Sequence, residues 1–399
     1  MAASNIRYLK GCIVILAWVG VLLAATHRSH PPVVLNRYSW SYASLLGLLV
    51  GIAAMVSLAK SAWYERLYQA RVGIIVSAVS LLLSLGAVEL GIRIFDPLGI
   101  SYYEKSGEYQ RDKLADEHLI FRHRPLWEKR YGDVLVTYNE QGLRDRPILP
   151  KSEGEFRILA LGDSVTFGWG VQQDKIFTSR LEQLLPGRLQ RPVRVINSGI
   201  GGYNTVQEVT YFKREGITLL PDLVLLTYIG NDIEENRGPF NPWAGPTSIK
   251  DLVMTMLGKL WSYRLMHHTY RYAVLDRLKG QSSNPLQGGE GWRRSMSALD
   301  ELVVLCKEQN IPLIVFFRRS HQDENRPLFE DVVRHIQGFP VKDMGSWYQG
   351  LDESSLVLSR VDGHPNAEGH RVMAEHMADD IVSYFADVSP ENDGTSKGE

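Results

Sequence analysis

Residues 157–165 read RILALGDSV. After Arg157 the run Ile158-Leu159-Ala160-Leu161 is apolar at every position, and Gly162-Asp163-Ser164 closes it with a turn. A strand that is apolar on both faces belongs to a sheet covered on both sides. The pattern returns downstream: VRVINSG at 193–199, LVLLTYIG at 223–230 and IPLIVFF at 311–317 read as strands, separated by amphipathic stretches at 174–186, 204–215 and 293–309. Such alternation predicts a doubly wound α/β domain with a parallel sheet, which binds ligands at the carboxyl ends of its strands. The domain covers 156–386. An interval at 233–292, rich in Pro, Gly, Asn and Trp and bearing a helical stretch at 250–279, interrupts the alternation directly after a strand end. It reads as a lid or acceptor-binding wall, or equally as an excursion packed on the domain surface. The tail, 387–399, has the composition of a disordered segment.

Upstream, 98–155 is polar and aromatic, with one alternating piece, VLVTY at 134–138, followed by a turn at 139–142. This predicts a connecting segment with a short strand. Further upstream, 11–26, 38–59 and 72–88 contain no charged residue. Each run is near the roughly 17–25 residues that cross a bilayer, so 1–97 reads as an anchor of three transmembrane helices, about 11–27, 38–59 and 72–92. Leu23-Ala24-Ala25 is a poor signal-peptide cleavage site. Arg7 and Lys10 precede the first span, Arg28 and Arg37 follow it, and Lys60, Arg66 and Arg71 separate the second from the third. The positive-inside rule therefore puts the N-terminus in the cytoplasm and everything after Arg93 in the periplasm or cell exterior, on a multi-pass protein of the inner (cytoplasmic) membrane. Glu89 sits near the outer end of the third span, within reach of the interface, and the spans lack the buried polar residues of a transport path.

Composition narrows the function. Of 399 residues 22% are charged and 44% hydrophobic, which is ordinary globular usage and excludes global disorder. The net charge of −1 hides an asymmetry, because eight Lys/Arg face Glu65, Glu89 and Asp96 within 1–97, which leaves the rest acidic. An acidic outer part argues against a nucleic-acid groove. The two cysteines, Cys12 and Cys306, form neither a disulfide framework nor a zinc-ligand spacing. GIGGYN at 199–204 lacks the lysine of a P-loop and the spacing of a dinucleotide fingerprint, and His370 and His376 fit no metal spacing with His364, so no cofactor or metal is expected.

The polar clusters that remain all fall at strand ends or before the last helix. Ser164 occupies a turn between strand and helix, where its hydroxyl is presented and backbone N–H groups are free for an oxyanion. A serine needs a base, and His364 of Asp362-Gly363-His364-Pro365-Asn366 can take the proton near neutral pH while Asp362 holds the other ring nitrogen. Gly202 offers a backbone N–H with no side chain to block approach, and Asn231 offers an amide donor. Taken singly, Gly-Asp-Ser and Gly-Asn-Asp are common turns, His-Pro a surface turn, and Asn204 with Gln207 a helix cap. Their order and shared placement raise them above that.

GDSV with Ser164, NSGIGGYNT with Gly202, IGND with Asn231 and DGHPN with His364 together resemble blocks I, II, III and V of the SGNH/GDSL hydrolase superfamily, over about residues 155–386. EQGLRD at 140–145 and GWGV at 168–171 are similar to a group of membrane-anchored bacterial members. The resemblance implies a flavodoxin-like three-layer α/β/α SGNH domain, preceded here by three transmembrane helices, and ester hydrolysis or acyl transfer through a serine acyl-enzyme. It makes Ser164 the nucleophile and first oxyanion donor, Gly202 and Asn231 the further donors, and His364 the base. The family's acid stands three residues before the histidine, where this chain has Val361. Either Asp362 serves from two residues before, or the centre is a Ser-His dyad leaning on a backbone carbonyl.

The expectation is a membrane-tethered serine esterase or O-acyltransferase that handles a small acyl group such as acetyl on a polysaccharide or other cell-surface glycan. The transferase version calls for an acyl-donor partner in the membrane. A lipase or lysophospholipase acting on membrane lipid, and a non-catalytic glycan-binding scaffold, are the alternatives.

Overall fold

A computed structural model describes residues 2–26, 40–96, 99–233, 257–270, 288–318, 326–348, 350–359 and 362–388. These fall in two compact units, one within Met1–Pro97 and Trp243–Leu275, the other within Leu98–Pro242 and Asp276–Glu399.

The first unit holds the helices Ala2–Thr26, Trp40–Leu58 and Ser61–Phe95. Two segments, Ser4–Ala25 and Ser61–Phe95, are long and apolar enough to cross a membrane, and Ala43–Leu58 is a shorter apolar helix. Three expected spans thus become two that qualify by length and one that falls short, with 27 and 38–39 outside the described residues. The carboxylate of Glu89 accepts the backbone N–H groups of Trp261 and Ser262, each at 2.9 Å, and pairs with Arg93 at 2.9 Å. It therefore caps the helix Trp261–Tyr270, where an anion meets the free N–H groups and the positive end of the helix dipole. Of the expected helical stretch 250–279 only 257–270 is described, and most of the expected lid interval 233–292 lies outside the described residues.

The second unit opens with the helix Ile100–Asp112 and two antiparallel hairpins, β1 (Leu114–Asp116) with β2 (Ile120–Arg122) and β3 (Glu128–Tyr131) with β4 (Val134–Thr137). Five parallel strands follow: β5 (Phe156–Leu161), β6 (Val193–Asn197), β7 (Leu223–Tyr228), β8 (Leu313–Phe317) and β9 (Val341–Asp343). Their order in the sheet is β6-β5-β7-β8-β9. The chain leaves β5 for β6 on one side and then crosses to β7 on the other, so the strand order reverses at the end of β5, where doubly wound sheets open a crevice.

Period-two alternation explains why every position of β5 is buried. Leu159 and Leu161, with Leu226, Val315 and Phe317, face a core shared with Val209 of the helix Thr205–Tyr211 and Leu299 of the helix Glu290–Glu308. Ile158 and Ala160, with Leu225, Ile314 and Phe316, face Leu181 of the helix Phe177–Leu189 and Met373 and Met377 of the helix Ala367–Val388. Two helical layers sandwich the sheet. A third cluster, Tyr109, Tyr131, Val134, Val136, Tyr138, Phe167 and Trp169, joins the segment before β5 to the turn after it.

The expected strands at 157–162, 193–199, 223–230 and 311–317 all appear, the first three trimmed at the carboxyl end to free a loop and the fourth starting two residues later, at Leu313. The stretch 204–215 divides into an α-helix over Thr205–Tyr211 and a π-helical turn over Phe212–Gly216. Asn204 and Gln207 form the anticipated cap as a reciprocal capping box. The segment 98–155 is more structured than its sequence suggests, with four strands and a helix in place of one strand. The last helix runs to Val388, beyond the expected boundary at 386, and 389–399 lies outside the described residues.

Candidate active site

Ser164 begins a one-turn helix, Ser164–Phe167, directly after β5. Asp163 Oδ1 accepts the Val165 N–H at 2.9 Å and caps that turn. The loop after β6 lies so close that a Cβ on Gly199 would sit 2.2 Å from the Phe167 nitrogen, so backbone meets backbone and only glycine fits.

His364 arrives from the loop before the last helix. Its Nε2 is 2.8 Å from Ser164 Oγ, and its Nδ1 is 2.5 Å from Asp362 Oδ1. An ionised carboxylate can only accept, so Nδ1 carries the hydrogen and Nε2 offers its lone pair to the serine. Asp362 is buried, also accepts the His364 N–H at 3.1 Å, and reaches the ring from two residues before it. Val361, which stands where the family's acid stands, lies outside the described residues. The loop is pinned by Leu358 N–H donating to His364 O at 2.9 Å and by Arg318 Nη2 donating to Gly363 O at 2.9 Å. Ser164 Oγ is also 3.0 Å from Asp163 Oδ2, so its single hydrogen has two acceptors.

Gly202 lies on the loop after β6 in a left-handed turn, with φ +84°. The backbone N–H groups of Ser164 and Gly202 have no hydrogen-bond partner among the described residues. The peptide before Gly202 is held from both sides. Gly201 N–H donates to the Tyr109 hydroxyl at 2.8 Å, and Lys113 Nζ donates to Gly201 O. In a trans peptide the C=O and the following N–H point in opposite directions, so a carbonyl fixed on Lys113 turns the Gly202 N–H away from it. Asn231 belongs to the turn Gly230–Ile233 after β7, and its side chain lies outside the described residues.

The structure thus brings Ser164, His364 and Asp362 into one hydrogen-bonded line, with Gly202 on the adjoining loop. It also adds residues that the sequence did not single out. The Tyr109 hydroxyl donates to His123 Nε2 at 2.7 Å, and His123 Nδ1 donates to Gly142 O at 3.0 Å, a one-way chain that ends on an obligate acceptor. Burial pushes the Lys113 ammonium and the His123 imidazolium well below their ordinary values and the Tyr109 phenol well above its own. Arg144 of EQGLRD is fully buried and donates to the carbonyls of Phe167, Gly168 and Val171 at 3.0, 2.6 and 2.5 Å, closing the carboxyl end of the serine's helix. Its burial lowers its pKa to about 10. Behind the turn, Glu208 and Asp232 are buried beside each other, and burial raises both carboxyls. Both Glu208 carboxyl oxygens lack a partner among the described residues.

His370 is buried, accepts the Phe177 N–H on Nδ1 at 3.2 Å, and is driven down to about 3 by burial. His376 stacks on Trp347, with ring centroids 5.3 Å apart. Among the described residues no three His, Cys, Asp or Glu side chains gather as metal ligands would.

Residues 160–372 match the GDSL-like lipase/acylhydrolase family, and the chain belongs to that family. No curated protein matches it. Several solved structures are similar. A catalytic mutant of an acetylxylan esterase from Geobacillus stearothermophilus is 16% identical, covers 58% of this chain and 96% of its own, and has a TM-score of 0.38. A psychrotrophic esterase from Pseudoalteromonas sp. is 14% identical, over 58% of this chain and 98% of its own, with a TM-score of 0.37. A lipolytic protein of the G-D-S-L family from Desulfitobacterium hafniense is 15% identical, over 56% and 98%, with a TM-score of 0.35.

Proposed function

We propose that the chain is a serine ester hydrolase acting through Ser164, His364 and Asp362. The observation that carries this reading is the line from Asp362 Oδ1 through the imidazole to Ser164 Oγ, at 2.5 and 2.8 Å. Ser164 Oγ attacks the ester carbonyl carbon as its proton passes to His364 Nε2, and Asp362 stabilises the resulting imidazolium. The charge that develops on the carbonyl oxygen is held by the free N–H groups of Ser164 and Gly202 and by the Asn231 amide. The imidazolium then gives its proton to the leaving alkoxide, which leaves an acyl-serine that water cleaves by the same steps in reverse. Where a sugar hydroxyl replaces water, the same residues make the chain an O-acyltransferase.

The acyl group in this proposal is acetyl, and the alcohol belongs to a glycan outside the cytoplasmic membrane. The apolar helices Ser4–Ala25 and Ser61–Phe95 support tethering, and with Ala43–Leu58 taken as the second of three spans the lysine and arginine bias supports an outside location for the part after Arg93. The test is p-nitrophenol release from p-nitrophenyl acetate by the full-length chain beside its Ser164→Ala variant. Turnover that vanishes with the hydroxyl is the expected result, and turnover that survives the substitution refutes the mechanism. A steep fall in rate from acetyl to longer acyl chains separates this reading from a lipase.

A further inference from the structure

A cavity of ≈ 350 Å³ opens beside the His364–Asp362 pair, lined by Tyr102, Lys105, Tyr131, Asp133 and Trp169 and reaching Asp362. Four of these five residues precede residue 160, where the family match begins. The cavity is on the imidazole's side of the centre, since Asp362 lines it and the Tyr102 and His364 rings are 6.3 Å apart between centroids. That side favours the alcohol half of an ester over the acyl half. His364 Nε2 has to protonate the departing oxygen, so the alcohol leaves on the imidazole's side, while the acyl oxygen turns toward Ser164 N–H and Gly202 N–H.

The lining describes the alcohol. Trp169, Tyr131 and Tyr102 give the lining aromatic rings, whose quadrupole suits the weakly positive C–H groups of a saturated ring. The Lys105 ammonium and the Asp133 carboxylate make no side-chain hydrogen bond or ion pair among the described residues. A donor and an acceptor, both unpaired, match neighbouring hydroxyl groups, each of which can accept from an ammonium and donate to a carboxylate. The stem of Lys105 is placed by the bare Gly132 of the β3–β4 turn, where a Cβ would come 2.8 Å from Lys105 Cε. At the small end of the roughly 300–1,000 Å³ of small-molecule sites, the cavity has room for a single ring.

On the reading that Ser164 forms an acyl-enzyme, we propose that this cavity binds the alcohol half of the ester, and that this alcohol is one sugar ring gripped through adjacent hydroxyls by Lys105 and Asp133. The segment upstream of the family domain thereby selects the substrate.

The test assays acetate release by the full-length chain from monoacetylated methyl pyranosides and from ethyl acetate. The pyranoside esters are expected to give the higher kcat/KM by at least about tenfold, and Lys105→Met and Asp133→Asn each to lower that value about tenfold while leaving ethyl acetate unchanged, the loss of one charge-assisted hydrogen bond. Equal hydrolysis of the two esters by the wild type, or an equal loss on both in the variants, overturns the proposal. Inertness toward both esters instead refutes the esterase reading, and saturation-transfer NMR with the parent methyl pyranosides then judges the cavity alone. A signal lost in Lys105→Met upholds the sugar site; a signal absent, or unchanged in that variant, overturns it.

Discussion

Replacing Tyr109 by phenylalanine removes one oxygen and tests how the loop beside the serine is held. That oxygen accepts Gly201 N–H at 2.8 Å and donates to His123 Nε2 at 2.7 Å, in a site where Tyr109 and His123 are both buried. The substitution leaves two buried polar groups without partners, at about 1–3 kcal/mol each. The expected loss is therefore about 2–6 kcal/mol, a large share of the roughly 5–15 kcal/mol that holds a domain folded. Lys113 still grips Gly201 O in the variant, so the peptide keeps one of its two anchors. Complete loss of an oxyanion donor costs roughly 10²–10³ in kcat, and a donor that is loosened rather than lost should cost about tenfold, with KM little changed. Urea unfolding followed by tryptophan fluorescence measures the first quantity, and p-nitrophenyl acetate turnover the second. A Tyr109→Phe protein that unfolds at the wild-type midpoint refutes the reasoning, because the hydroxyl would then satisfy nothing.

Three more outcomes are expected. Asp362→Asn should lower kcat by about 10³–10⁴ at unchanged KM, since the amide favours the wrong imidazole tautomer; wild-type kcat would point to a dyad. His370 stays neutral in the fold down to about 3 while the unfolded chain protonates near 6.5, so the unfolded state binds the extra proton between those values and stability falls as pH is lowered. The slope is at most about 1.4 kcal/mol per pH unit, and urea midpoints at pH 7 and 5 should differ less in His370→Gln; identical slopes would contradict it. Glu208 has the opposite sign: its raised carboxyl holds a proton that the unfolded chain releases above about 4.5, so stability is lost as pH rises. Glu208→Gln, which mimics the protonated acid, should therefore be more stable than wild type at pH 8 and similar at pH 4.5, and a deficit at pH 8 would refute this.

How much was legible depended on whether a residue's neighbours were also its sequence neighbours. Strands β5 to β8 stand out because burial on both faces forces mostly apolar runs, broken only by single polar residues such as Arg157, Arg194 and Thr227 and by Asn197 at the end of β6. The three residues of β9, Val341–Asp343, are partly exposed and carry no such run. The helix Ile100–Asp112 hides because its buried contacts come from tyrosines set among charges. Ser164 is legible as a turn after a strand, and His364, with Asp362 two residues before it, as a turn before the last helix. Lys113 reaches Gly201 from 88 residues away, and in sequence it is one more lysine at the end of a polar helix. Arg144 belongs to EQGLRD, yet nothing in that string says that its guanidinium closes the serine's helix. Asn231 stands out in sequence only through IGND, and its side chain falls outside the described residues.

The order of these parts along the chain has a use in engineering. Tyr102, Lys105, Tyr131 and Asp133 of the cavity's wall are written before β5, whereas Trp169 and the proposed nucleophile, base and acid, Ser164, His364 and Asp362, are written after it. On the proposal made above, a single recombination point near residue 150 would exchange most of the named wall between two such proteins and leave Ser164, His364 and Asp362 in place. The exchanged piece also carries Tyr109, Lys113 and Arg144, which reach across that boundary to hold the Gly201 peptide and the serine's helix, and His123, which holds the Tyr109 hydroxyl. A viable chimaera must match the donor's braces to the recipient's loops, and mismatch there, more than in the cavity itself, sets which pairs can be crossed.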